Sequence, residues 1–345
     1  MLPEGILAQF DKQARACDAL GSPFTARLCR LLPECLDEGT ATGRAVVGWR
    51  EGEAAALPLR LCGALHRLVL AREDDALASV YPPNPVDDGV LGAALARALA
   101  QHDAALLAAL DSPPQTNEVA RASALLPGLL TVARETQLPL TLVEIGSSAG
   151  LNLSLDGFHY TFGDAQWGDP AAGVRLAPEL RGPVPDLTGD LVVAGRRGCD
   201  IRPIELSDPA QRLRLRSFVW ADQTARLERL DAAIALAVKR GIAVERQDAA
   251  NFVAGQLETR PAETVFCLMH SIMWQYMPQA TQARIAGLME QAGAAATSDS
   301  PVAWLRLEPD AAGDAAVITL DLWPGGTTRV LGRADFHGRW LDWRS

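Results

Sequence analysis

The sequence is poor in the features that tie a chain to a membrane, a metal or a nucleic acid. No apolar run approaches the roughly 20 residues that span a bilayer. Residues 1–21 mix Glu4, Asp11, Lys12 and Arg15 with apolar side chains, which does not read as a signal peptide. The six cysteines (Cys17, Cys29, Cys35, Cys62, Cys199, Cys267) form no C-x-x-C pair, and the five histidines show no H-x-H or H-E-x-x-H spacing. Free thiols in a cytoplasmic protein, and no metal site, are expected from that pattern. Long basic runs are also missing. With 32 Lys and Arg against 42 Asp and Glu, the net charge is −10, a balance that argues against a dedicated nucleic-acid partner.

What remains is an ordinary globular composition, 48% hydrophobic and 21% charged over 345 residues. Residues 23–36, 59–71, 90–110 and 119–135 carry apolar side chains at helical spacing. Tyr81-Pro82-Pro83-Asn84-Pro85 and Ser112-Pro113-Pro114 are stiff connectors. Residues 1–115 therefore read as a helical domain or cap. After Pro139 the pattern changes. Short apolar runs at 140–145, 242–244, 264–269 and 302–307 alternate with helical stretches at 208–219, 224–240 and 279–292. Such alternation predicts a doubly wound, mostly parallel α/β sheet over 116–345. Residues 316–322 and 328–334, joined through Trp323-Pro324-Gly325-Gly326-Thr327, predict a closing antiparallel hairpin.

Glu144-x-Gly146-x-x-x-Gly150 lies between the first strand and a helix expected from Ala149. Glycines let backbone approach a ligand, and a helix N-terminus offers free N–H groups to an anion. For a methionine-type cofactor the anion is its carboxylate, and Glu144 can face its ammonium. Ser147, Ser148 and Asn152 belong to the same loop. Asp200, in Gly198-Cys199-Asp200-Ile201, is placed at the end of a second strand, where a carboxylate accepts ribose hydroxyls. Asp248 and Ala249 are placed after a third strand, near an adenine edge. His270, at the expected end of the fourth strand, is the candidate base. Trp274 and Tyr276 are pocket-lining candidates, and Asp222 reads as an N-cap for the helix from Thr224. The loop also spells G-x-S-x-G, so a serine hydrolase using Ser148, a later Asp and a late histidine such as His337 is a rival. A helical first third and the carboxylate of Glu144 beside an oxyanion count against it. A non-catalytic ligand-binding or interaction protein is the other alternative.

At these residues the chain resembles an uncharacterised bacterial family, domain of unknown function 2332. The likeness is carried by residues 144–153, by Arg197-Gly198-Cys199-Asp200-Ile201-Arg202-Pro203, by Val219-Trp220-Ala221-Asp222-Gln223, by His270-Ser271 with Trp274-Gln275-Tyr276, and by Trp323-Pro324-Gly325-Gly326. A looser resemblance is to class I S-adenosylmethionine-dependent methyltransferases. It implies a seven-stranded sheet with an antiparallel last strand and S-adenosylmethionine as cofactor. It makes Glu144, Gly146 and Gly150 the first cofactor motif, Asp200 the ribose contact, and Asp248 with Ala249 the adenine contact; the substrate is an unidentified small molecule. One departure stands out. Asp200 lies 56 positions after Glu144 (200 − 144), where the usual spacing is about 20. Residues 158–197 are therefore expected to be an insertion, either covering the substrate pocket or displacing the second strand.

Overall fold

The computed structural model describes residues 2–345. The chain divides into two compact units: residues 1–116 with 208–228, and residues 117–207 with 229–345. The α/β part expected over 116–345 therefore loses 208–228 to the helical unit.

The first unit is built from α1 (Glu4–Ala19), α2 (Pro23–Cys35), α3 (Ala41–Val47), α4 (Leu57–Leu70), α5 (Asp75–Ala78), α6 (Asp88–Gln101) and α7 (Asp103–Leu110). In α1 the buried residues are Ile6, Phe10, Ala14 and Cys17, spaced by four and three so that they form one stripe. The single helix expected over 90–110 is two helices. The break is at His102, whose ring meets Asp74, and Asp103 then accepts hydrogen bonds from the N–H groups of Ala41 and Thr42 at the start of α3. Asp222 also corrects its expected role. Its carboxylate takes the Phe24 N–H at 2.8 Å and the Ser22 hydroxyl, so it caps α2 rather than the helix that follows it in sequence.

The second unit opens with α8 (Ala122–Thr136) and β1 (Leu140–Ile145). A glycine loop and a 3₁₀ segment, Leu151–Gly157, lead into β2 (His159–Phe162), β3 (Ala165–Trp167), β4 (Arg175–Leu176) and β5 (Glu179–Leu180), then β6 (Val193–Asp200). After α9 (Pro209–Ser217) in the first unit and α10 (Thr224–Lys239), the chain adds β7 (Val244–Arg246), α11 (Ala249–Glu258), β8 (Val265–Ser271) and α12 (Gln279–Ala294). It finishes with β9 (Val302–Pro309), β10 (Ala316–Trp323), β11 (Arg329–Ala334) and β12 (Trp340–Trp343).

The main sheet has nine strands in the order β5-β12-β11-β10-β9-β8-β1-β6-β7. Strands β7, β6, β1, β8 and β9 are parallel, and β9 to β12 form an antiparallel meander. Seven strands were expected. The five parallel strands and the β10–β11 hairpin make seven; β12 and β5 are the two more. The insertion explains β5. It folds a small sheet of order β3-β2-β4 and then sends β5 to pair with β12 at the far edge. The second strand is not displaced: β6 lies beside β1, with Gly198 opposite Glu144, and ends at Asp200.

Both faces of the sheet are covered. Val143, Ile145 and Leu268 pack with Phe252 and Val253 of α11 and Ile285 and Met289 of α12. On the other face α8 lies so close to the sheet that a Cβ on Gly128 would come within 2.6 Å of Leu305. From β1 the chain steps to β6 and β7 on one side, then returns to β8 on the other. Strand order therefore reverses at β1, where open α/β sheets leave a crevice at the carboxyl edge.

Candidate functional site

The loop after β1 is shaped by close approaches. Gly146 has φ +64°, and a Cβ there would lie 2.7 Å from the end of the Met273 side chain. Gly150 has φ +71° and faces Ile242 and Val244, which a Cβ would meet at 2.8 and 2.9 Å. Both positions need glycine for conformation and for space. Ser148 adopts φ +54° without that freedom, held by its N–H donating to Asp200 Oδ2 at 2.9 Å and its carbonyl accepting from Ile204 N–H at 3.0 Å. The Ser147 hydroxyl donates to the Glu144 carbonyl at 2.7 Å.

One expectation changes here. The segment after the loop is a 3₁₀ helix over Leu151–Gly157, not an α-helix from Ala149. The N–H of Leu151 is already taken by Asn117 Oδ1 at 2.9 Å. No long helix N-terminus stands ready for an anion. Asp156, near the end of the segment, is taken by Arg196 and Arg240 of later elements, and Gly157 closes it.

Beside this loop lies a cleft of about 250 Å³, lined by Gly146, Cys199, Asp200, Gln247, Asp248 and Ala249, with Ile201 and the segment from Met273 to Thr281 completing it. Residues from the ends of β1, β6 and β7 thus share one crevice. Asp200 Oδ2 holds the Ser148 N–H, and Oδ1 the Arg202 N–H at 2.8 Å. Asp248 caps α11, its Oδ1 accepting from Ala250 and Asn251 N–H. Each carboxylate oxygen can accept more than one bond, so these structural roles leave room for a ligand. The lining holds two carboxylates and no Lys, Arg or His. Tyr276 is 75% exposed at its rim.

Six site candidates, Glu144, Ser147, Ser148, Gly150, Asn152 and His270, are not part of that lining. Val143 and Ile145 face α11 and α12, so Glu144, between them on β1, points to the opposite face. It is fully buried, its Oε2 has no hydrogen-bond partner, and burial pushes its carboxyl up to about 8, with the Asp200 charge adding to the shift. Asn152 donates weakly to the Glu118 carbonyl at 3.4 Å, while its Oδ1 is buried without a partner.

Across residues 7–343 the chain matches the family described as uncharacterized protein conserved in bacteria (DUF2332). The chain belongs to that family. No curated protein and no solved structure matches it.

In this family member His270 is correctly placed near the end of β8 but is not available as a base. Its Nδ1–H donates to Glu308 Oε1 at 2.6 Å, and its Nε2 accepts from Trp304 Nε1–H at 3.1 Å. A neutral ring with the proton on Nδ1 satisfies both contacts, leaving neither nitrogen for a substrate. Trp274 stacks on the ring at 4.9 Å, and Glu308 also accepts the N–H groups of Met273 and Trp274. His270 and Glu308 therefore hold the segment that lines the cleft. Glu308 is a site residue that the sequence does not single out by any motif, although as an acid it directly follows the apolar run 302–307. Asn117, which reaches the glycine loop from across the fold, had no sequence signal.

The Ser148 hydroxyl is buried and accepts or donates no hydrogen bond, so no histidine activates it among the described residues. Within the same bounds there is no cluster of three potential metal ligands, all six cysteines are free thiols, and no helix is long and apolar enough to cross a membrane.

Proposed function

We propose that the chain is an S-adenosylmethionine-dependent methyltransferase acting on a small molecule, with the nucleoside part of the cofactor in the cleft. One observation carries this reading: Gly146, Asp200, Asp248 and Ala249, drawn from the ends of three strands, line a single crevice at the strand-order reversal. Its volume of about 250 Å³ is just below the range of roughly 300–1,000 Å³ typical of small-molecule sites, which suits a nucleoside better than a dinucleotide. Two carboxylates without a basic partner disfavour phosphate and favour a neutral or cationic ligand.

Asp200 is positioned to accept the ribose hydroxyls, and Asp248 or Gln247 to meet the adenine edge. Ser147, Ser148 and Gly150 shape the loop that carries Gly146. The cofactor supplies an electrophilic methyl group when bound; the chain supplies the geometry that aligns an acceptor with it, and alignment alone accounts for much of such a rate. Met273, Tyr276 and Met277 give the neighbouring wall an apolar, adaptable character suited to an uncharged acceptor. His270 acts through Glu308 on the position of that wall.

Calorimetry with S-adenosylhomocysteine tests the reading. The full chain is expected to bind one equivalent. Gly146→Arg, with its fold checked by circular dichroism, is expected to bind at least tenfold more weakly, because the side chain would enter space held by Met273. Absence of binding by the folded wild type refutes the proposal.

A further inference from the structure

Among the large apolar side chains at the surface of the described residues, two are the most exposed: Tyr276 at 75% and Ile201 at 70%. Both border the cleft. Tyr276 follows β8 and Ile201 follows β6, the two strands that flank β1, so they reach the cleft from opposite sides. Met273 and Met277 add two thioethers to the same lining. Single exposed apolar side chains are ordinary, whereas a group of them around one cleft marks a surface that a ligand covers.

Tyr276 is not exposed through looseness of its backbone. Its turn begins at Ile272, a β-branched residue at φ +51°, a conformation that persists only where the surroundings enforce it. Here they do. The Ile272 N–H donates to the Leu307 carbonyl at 2.9 Å, the Glu308 carboxylate takes the next two N–H groups, and Trp274 stacks on His270. At the other end the Gln282 side-chain amide donates to the carbonyls of Trp274 and Met277 at 2.8 and 3.1 Å. Tyr276 therefore projects from a rigid turn, and an aromatic held in this way loses little conformational entropy when a partner settles on it. The chemistry of the mouth narrows that partner. A phenol ring offers a flat apolar face for offset stacking on another ring, and thioethers make favourable contacts with ring edges. Asp200 and Asp248, with no Lys, Arg or His in the lining, oppose a carboxylate or a phosphate. Arg246 is turned instead to the Ile201 carbonyl, at 3.3 Å.

We propose that Tyr276 determines specificity for the methyl acceptor, and that the acceptor is an uncharged, planar aromatic molecule stacked on Tyr276 at the mouth of the cleft, with the Met273 and Met277 thioethers beside it. The proposal rests on the adenosyl reading above and deepens it by naming the class of acceptor.

Nuclear magnetic resonance of isotope-labelled methionine methyl groups tests it, because the chain has only five methionines and two of them line the cleft. Binding of S-adenosylhomocysteine to the full chain is measured first by calorimetry. The saturated complex is then titrated with 2-naphthol, whose ring current is expected to move the Met273 and Met277 signals. Decahydro-2-naphthol, of the same skeleton but saturated, and 2-naphthoate, aromatic but anionic, are each expected to bind about tenfold more weakly. Tyr276→Ala is expected to weaken 2-naphthol about tenfold, and Tyr276→Phe to keep it within about threefold, since the ring face makes the contact. No shift in the saturated wild type, equal binding of the aromatic and saturated alcohols, or unchanged affinity in Tyr276→Ala overturns the inference and leaves the cofactor reading intact. If the wild type fails to bind S-adenosylhomocysteine in the first step, the cofactor reading fails and the acceptor assignment with it.

Discussion

The contact most sensitive to a conservative change is Glu308. Replacing it with glutamine keeps the size and removes one acceptor. Trp304 Nε1–H points at His270 Nε2, which obliges His270 to carry its proton on Nδ1 and to find an acceptor there. On the other side of the same carboxylate stand the N–H groups of Met273 and Trp274, at 3.1 and 3.3 Å from Oε2. Three donors therefore converge on one side chain. A glutamine can turn its oxygen to the histidine or to the backbone pair, but its NH₂ then meets N–H on the remaining side. Losing a hydrogen bond to a charged acceptor costs about 1.5–3 kcal/mol, and a buried donor left unpaired about 1–3 kcal/mol. Since Glu308 is only partly shielded, a loss of about 2–4 kcal/mol is expected for Glu308→Gln. The chain has two units, so a global unfolding midpoint mixes contributions. Hydrogen exchange read at the amides of Met273 and Trp274 is the better assay, with protection expected to fall by about 30-fold or more. Protection within threefold of wild type refutes the argument that these donors depend on the carboxylate.

Glu144 predicts a pH dependence of stability. The folded protein keeps its proton up to about pH 8, whereas an exposed glutamate loses it near 4.5, so between these values the folded state binds more protons and stability falls as pH rises. Denaturant titrations at pH 5.5 and 7.5 are expected to show Glu144→Gln gaining on the order of 2 kcal/mol relative to wild type at the higher pH; a constant difference between the two proteins contradicts it. Asp222→Ala removes the acceptor for Phe24 N–H and the Ser22 hydroxyl and is expected to cost about 1–2 kcal/mol. Asp222→Asn, which retains an acceptor oxygen, should recover most of that in thermal melts, and equal losses for both variants would show that the cap is not the cause.

The parts of the molecule that local pattern governs were legible in the sequence. The run 140–145 reads as a strand because its side chains are apolar on both faces, and the structure buries nearly all of them. The acids after successive strands were legible because strand ends carry them in sequence, and two of the three share the cleft. Glu144, the third, is not part of the cleft lining. Strand alternation turns it away from Val143 and Ile145, a fact available from its position but invisible until the cleft was assigned to a face. His270 illustrates a different limit: its position near a strand end was readable, but its partners Glu308 and Trp304 come from a later strand. The pairing of β5 with β12 had no local signal at all, because two residues of edge strand carry too little pattern to announce a partner far along the chain.

The double crossing between the units has a consequence for how the chain is made. The helical unit is not finished at Thr116: the carbonyl that binds His66, the ring that packs on Gly63 and the carboxylate that caps α2 belong to Ser217, Phe218 and Asp222. About 100 further residues leave the ribosome before those groups do, on the order of 10 s at ordinary synthesis rates. During that interval the early helices wait with an apolar groove open. A chain cut at the first crossing would lack all three groups, so the first 116 residues alone are not the helical unit.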